Sequence, residues 1–173
     1  MHTYTIYRAV VIAAMLLVGT AAFASAGDYK PLLPLLIDLK GWNAERATGA
    51  NMNAGGHAMV TAARAYEKGA GSFAVSIVIS AGAAAQANAM TMSFESEGVK
   101  VSVAEIDGFK TQTTYTNGDK SGVIVVALWQ DATGANGAVA TFAFNGMTDT
   151  DALALAKLFD WSKLKTAVAA AAK

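Results

Sequence analysis

The clearest hydrophobic pattern in the chain is the stretch from Phe73 to Ser80, where every second residue is large and apolar. The large apolar positions are Phe73, Val75, Ile77 and Ile79. A period of two is typical of a strand with one fully apolar face, so this stretch predicts a core strand. Upstream, Ala58 to Glu67 predicts its antiparallel partner. The segment Lys68 to Ser72 between them contains two glycines that can supply the positive φ of a hairpin turn.

Four further strands are predicted downstream of this hairpin. The first of them begins at Val99. The other three span Lys110 to Thr116, Val123 to Trp129 and Ala138 to Phe144. The segment from Val123 is apolar on both faces, which is typical of a central strand covered on both sides. Asn43 to His57 shows no apolar period and is rich in Asn, Gly, Ala and Thr, so it predicts a loop.

Helical patterns occur in three places. A short amphipathic helix is predicted where Pro34 suits the first helical position and Gly41 suits a C-terminal cap. Ala81 to Glu95 predicts a connecting helix, and Thr148 to Asp151 offers N-caps for a terminal helix. The strands form two hairpin groups and the helices lie apart from them. This order predicts an α+β domain, with an antiparallel or mixed sheet of about six strands and N-terminal, connecting and C-terminal helices packed on it.

The first 26 residues have the pattern of a secretory signal peptide. Arg8 precedes the apolar run Ala9 to Phe23, and Ala24-Ser25-Ala26 is the small-x-small pattern that signal peptidase cuts. A retained membrane anchor is the alternative, but the run is shorter than the roughly 20 residues that a spanning helix prefers. We therefore expect cleavage after Ala26. The product would be a periplasmic protein, a single α+β domain over residues 27–173 with no stable membrane insertion.

Composition narrows the classes of function. The 173 residues include no cysteine, so the chain has no disulfide, no thiol nucleophile and no thiolate metal site. The 13 basic and 13 acidic residues give a formal net charge of zero. Because a nearly neutral chain without basic runs lacks the charge that phosphate contacts require, nucleic acid is not an expected partner.

Catalytic patterns are scarce. His57 is the only histidine outside the predicted signal peptide, and a Ser-His-Asp hydrolase would depend on it. The sequence has no Gly-x-Ser-x-Gly elbow to present a serine, and no phosphate loop or dinucleotide fingerprint. Most carboxylates fall in turns or at helix starts, where capping explains them. Enzyme activity is therefore not our leading expectation, and a hydrolase stays an alternative.

Methionine and histidine give one candidate metal site. The candidate ligands are Met52, His57, Met59, Met90 and Met92. Thioether and imidazole ligands suit Cu(I) in an exported protein without cysteine. Met90 and Met92, however, would point to opposite sides of a strand or about 200° apart on a helix, and methionine is also a common core residue. We therefore expect no cofactor, with copper as the alternative.

A set of landmarks resembles small exported bacterial proteins of uncharacterised function. The landmarks are LLPLL before Gly41-Trp42, Arg64-Ala65-Tyr66, Asp107-Gly108-Phe109, and Phe159 to Leu164. A PsbP/Mog1-like architecture is the fold that this resemblance suggests, and it brings no catalytic residues with it. The expected function is a non-enzymatic binding or interaction module in the periplasm. Its ligand would be a partner protein or a small apolar molecule held against the sheet.

Overall fold

The computed structural model describes residues 27–54 and 57–172, and nine strands in this part of the chain form one sheet. In chain order the strands are β1 (Asn43–Ala44), β2 (Thr48–Ala54), β3 (His57–Lys68), β4 (Gly71–Ser80), β5 (Phe94–Ser96), β6 (Val99–Ile106), β7 (Phe109–Thr116), β8 (Ser121–Gln130) and β9 (Gly137–Asn145). Across the sheet the order is β1-β3-β4-β9-β8-β7-β6-β5, and β2 also pairs with β3. Every pair is antiparallel.

The α+β class and the six predicted strands are confirmed, the strands appearing as β3, β4, β6, β7, β8 and β9. The predicted size of about six strands is too small, because β1, β2 and β5 extend the sheet at its edges. The loop predicted from Asn43 to His57 is also wrong. Its residues lack an apolar alternation, yet nine of them pair with β3 through the backbone, two in β1 and seven in β2. Such backbone pairing needs no particular side chain.

The helical segments are shorter than predicted. A 3-10 helix over Lys30–Leu35 stands where an amphipathic helix was expected, and Gly41 takes a positive φ in the turn that follows. The connecting helix α1 covers Ala81–Ala89 and stops before Glu95, because the segment that contains Glu95 pairs with β6 instead. The Ser80 hydroxyl caps α1 by accepting the Ala83 N–H at 3.0 Å.

The predicted terminal helix is in fact two helices, α2 (Asp149–Ala156) and α3 (Trp161–Ala171). Thr148 caps α2, as its position in the polar run predicts. The break between the helices ends at Asp160, whose carboxylate accepts the Lys163 N–H at 2.9 Å. A good N-cap inside an apolar helical pattern therefore starts a new helix.

The main core lies between one sheet face and the 3-10 helix, α2 and α3. The alternate residues of β4 predicted to be apolar all face this core and are buried. They meet a cluster of rings from neighbouring segments, in which Phe142 and Phe159 have their centroids 5.4 Å apart. Trp161 also enters this cluster, and its indole N–H donates to the Ala156 carbonyl at 2.9 Å. Aromatic packing thus joins the paired terminal helices to the middle of the sheet.

The opposite sheet face carries a smaller core under α1. Ala83, Ala87 and Met90 pack there against Val125 and Val139 of the two central strands. Because Val125 is buried under α1 and its neighbour Ile124 is buried in the main core, the prediction that β8 is covered on both sides is confirmed.

The predicted signal peptide over residues 1–26, and its cleavage after Ala26, lie outside the described residues. Among the helices of residues 27–54 and 57–172, none is long and apolar enough to cross a membrane.

Ile77→Ala is expected to lower the free energy of unfolding by about 2–5 kcal/mol, because Ile77 is 0% exposed and its loss would leave a cavity in the main core. Ser76→Ala is the matched control on the opposite face of the same strand and is expected to cost much less. Urea denaturation of the two variants measures both effects. Equal losses would contradict the assignment of the two faces.

Candidate functional site

Two of the predicted copper ligands, Met52 and Met59, lie directly opposite each other in the β2–β3 ladder. Residues paired in this way share a sheet face, with their Cβ atoms about 4.5–5.5 Å apart. His57 begins β3 two positions before Met59 and pairs with Ala54. The structure therefore brings these three ligand positions together at one end of the β2–β3 hairpin.

Met90 and Met92 are not part of this group. Met90 is 1% exposed and packs under α1 against Val125 and Val139, which β4 separates from Met59. Met92 is 69% exposed. Within residues 27–54 and 57–172, no three His, Asp or Glu side chains gather as a metal site. The structure does not assemble the five predicted ligands in one place, and binding of Cu(I) stays a prediction.

Arg64 connects β3 to the segment that follows the 3-10 helix. Its Nη1 donates to the Leu36 carbonyl at 2.6 Å, and its Nε donates to the Glu45 carbonyl at 2.8 Å. Its Nη2 forms an ion pair with the Asp38 carboxylate. One guanidinium thus fixes both ends of the segment between these carbonyls, and this segment carries Trp42.

Tyr66 also holds the segment that carries Trp42. Its hydroxyl donates to the Ile37 carbonyl at 2.7 Å, and the residue is 1% exposed. Burial raises the pKa of Tyr66 to about 12, although the nearby Arg64 guanidinium favours the ionised form. Arg64 and Tyr66 lie two positions apart and therefore share one face of β3. Their partners lie on a segment without a regular pattern.

An open groove of about 660 Å³ lies at the end of the sheet where β3 turns into β4. One wall is Trp42, and the opposite wall is formed by α2 and the residues just after it. The lining residues are Trp42, Lys68, Ala70, Gly71, Gly146, Met147, Asp151, Ala154, Leu155 and Leu158. Leu158 is 58% exposed at the rim. The groove is therefore open and mainly apolar.

Two glycines of the groove lining, Gly71 and Gly146, lie close together. Gly146 has a φ of +75°, and a Cβ added there would lie 3.1 Å from the Gly71 Cα. The two backbones are thus too close for a side chain between them. Any larger residue at Gly146 would strain the backbone and crowd Gly71.

The groove carries one unpaired cation. The Lys68 ammonium lies 5.9 Å from the Trp42 ring centroid, and no carboxylate of the described residues pairs with it. The other charged group of the lining, the Asp151 carboxylate, accepts a hydrogen bond from the Thr148 hydroxyl at 2.7 Å and keeps its negative charge. An anionic group of an apolar ligand would therefore have to lie nearer to Lys68 than to Asp151.

Sequence patterns alone do not point to this groove. Leu158 looks like one more apolar position of a single terminal helix, and only the N-cap at Asp160 indicates that the helix breaks beside it. Trp42 is visible in the sequence as a landmark, but nothing near it in the chain predicts contact with residues beyond position 145.

Comparisons of the chain with protein families, curated proteins and solved structures find no match. The resemblance to small exported proteins and to a PsbP/Mog1-like architecture therefore stays a prediction.

Raising the pH from about 10 to about 12 is expected to destabilise the fold through Tyr66. In the unfolded chain the phenol ionises near its ordinary pKa of 10.0, whereas in the folded chain it ionises near 12. The folded state holds the proton more tightly, so this contribution is complete below pH 10 and is lost as the pH rises through 12. Urea denaturation across this range should show a smaller decline in Tyr66→Phe. An identical decline in both proteins would contradict the role of Tyr66.

Proposed function

We propose that the protein is a non-enzymatic periplasmic binding protein whose groove beside Trp42 takes a small apolar ligand. The observation that carries this proposal is the groove itself, since its volume of about 660 Å³ lies within the roughly 300–1,000 Å³ of known ligand pockets. Its lining is mainly apolar, with few polar groups, which is also typical of such pockets.

The rigidity of the walls supports a binding role. Arg64 and Tyr66 hold the segment of Trp42 through three backbone carbonyls, and α2 is capped at Thr148. A groove whose walls are already fixed loses little conformational freedom when a ligand enters. Lys68 at the rim would add a preference for a ligand with one anionic group.

The proposed location rests on the N-terminal sequence. The pattern from Arg8 to Ala26 supports export, and a chain without cysteine needs no disulfide after it reaches an oxidising compartment. A partner protein that inserts an apolar side chain into the groove is the other ligand class expected from the sequence. The volume of the groove, which lies in the range of small-molecule sites, favours the small molecule.

Binding of a fluorescent apolar probe tests the proposal. Anilinonaphthalenesulfonate, an aromatic anion, is expected to bind with one saturable site, and Leu158→Asp should weaken its affinity about tenfold or more. Burying a leucine side chain contributes about 1.5–3 kcal/mol, and tenfold corresponds to about 1.4 kcal/mol. Because Leu158 is exposed, thermal melting of the variant should be nearly unchanged.

Two further variants serve as controls. Phe94 is 53% exposed on the far part of the sheet, so Phe94→Asp should leave probe binding unchanged. Lys68→Gln should weaken the anionic probe more than neutral phenylnaphthylamine. If Leu158→Asp and Phe94→Asp behave alike, the groove is not the binding site.

Copper binding is the second candidate, and the observation that favours it is the direct pairing of Met52 with Met59. Two adjacent thioethers near the position of His57 could supply part of a Cu(I) site. Two methionines that face each other across a β-ladder can also pack together without a metal, as methionine commonly does.

Thermal melting with saturating Cu(I) separates these two roles. We expect no shift in the melting temperature, because Met90 and Met92 lie elsewhere and too few ligands converge. A metal that binds only the folded state would raise the melting temperature, and Met59→Leu would abolish that rise. Met to Leu is a tolerated swap that costs less than about 1.5 kcal/mol. A rise of several degrees that disappears in Met59→Leu would establish the copper site.

A further inference from the structure

The two edges of the sheet are built differently. β2 runs for seven residues, Thr48–Ala54, without a charge or a proline. The opposite edge strand, β5, has three residues and includes Glu95. Short, charged edge strands resist pairing with other chains, whereas a long neutral edge is open to it. The β2 edge is therefore the one that can accept another strand.

The register identifies the backbone groups that point outward from β2. The Glu45 N–H donates to the Ala65 carbonyl at 2.9 Å, so odd-numbered residues of β3 direct their backbone groups toward β1 and β2. The β2–β3 register is unbroken and pairs Ala50 with Thr61. Since backbone groups alternate in direction along a strand, the intervening residues direct theirs away from the sheet. These residues are Gly49, Asn51 and Asn53.

We propose that β2 binds the β2 strand of a second copy of this chain, antiparallel and about a two-fold axis at Asn51. In this register Asn51 lies opposite Asn51 of the second copy, and Gly49 lies opposite Asn53. All three outward-facing residues then take part. Each such pair exchanges two backbone hydrogen bonds, so this one register uses every free group of the central edge.

The strand that pairs with β2 is expected to come from a second copy of this chain, because the β2 edge is complementary to itself. β2 has no charge, so its self-pairing brings no like charges together. Pairing of β2 with the opposite edge of another copy would find only the three residues of β5, beside the acidic Glu95 and Glu97. Two identical edges related by a two-fold axis form a closed dimer instead of a fibre.

Side chains around β2 leave room for this pairing. On the main-core face, the Asn51 Oδ1 accepts the Tyr29 N–H at 3.2 Å, and a Cβ added at Gly49 would lie 2.2 Å from the Tyr29 ring. Tyr29 therefore covers that face and not the edge. On the other face, Met52 would lie opposite Ala50 of the second copy, where the small alanine leaves space for it.

Sedimentation velocity of the protein purified from cells that make it, from about 5 µM to about 500 µM, tests the dimer. A seven-residue strand pair buries less than a standard interface of about 1,600 Å², so we expect dissociation in the micromolar range or weaker. Asn51→Asp keeps an acceptor for the Tyr29 N–H but places two negative charges opposite each other. It should raise the dissociation constant severalfold, by up to about fivefold.

Two comparisons make the result specific. A mixture of Asn51→Asp with Asn51→Lys should restore the dimer, because opposite charges then meet at the axis. Ala104→Asp adds the same charge to exposed β6 near the other edge and should change nothing.

Hydrogen exchange of the unmodified protein gives a test that needs no variant. The amides of Gly49, Asn51 and Asn53 should exchange more slowly as the protein concentration rises, whereas those of Ala50 and Met52 should not change. A protein that stays monomeric over the whole range overturns the proposal, as does a dimer that is insensitive to Asn51→Asp. Protection of these amides only when another protein is added would instead assign the edge to a partner's strand.

Discussion

The rest of the structure depends on the packing of the Phe73 ring against four other aromatic rings. The centroid of the Phe73 ring lies 5.9 Å from that of Phe142 and 6.2 Å from that of Tyr66. It also lies 6.4 Å from the rings of both Trp42 and Phe159. These four rings come from β9, β3, the segment after the 3-10 helix, and the connection between α2 and α3. The interaction that joins the sheet to its helices therefore also positions one wall of the groove.

The sequence predicts the interior strands well because burial on one face imposes a period of two, as in Phe73 to Ser80. It fails at β2, whose stability comes from backbone pairing at an edge where few side chains are buried. It also fails at the terminal helices. There the apolar spacing continues through Leu158, and the local N-cap at Asp160 outweighs it by starting a new helix.

The candidate sites were harder to predict than the strands. The pairing of Met52 with Met59 requires β2 to exist, and the residues of β2 lack the apolar alternation that would predict a strand. The groove combines Trp42, the turn after Lys68 and the region around Leu158, which are far apart in the chain. Periodicity reports which side of an element is buried, but it does not report which distant segments meet at the end of a sheet.

The pairing of β4 with β9 has a consequence for how the chain reaches this structure. β1 to β4 form one group of neighbours and β5 to β8 form another, and β9 lies between β4 and β8. Ser72 pairs with Asn145, and Ser80 pairs with Gly137, so the whole second group must be synthesised before the two halves can join. Such non-local pairing carries a large loop-closure entropy and slows folding. A ribosome must therefore release nearly all of the chain before its central layer can assemble, and a transcript truncated after β8 would encode two half-sheets that lack the strand between them.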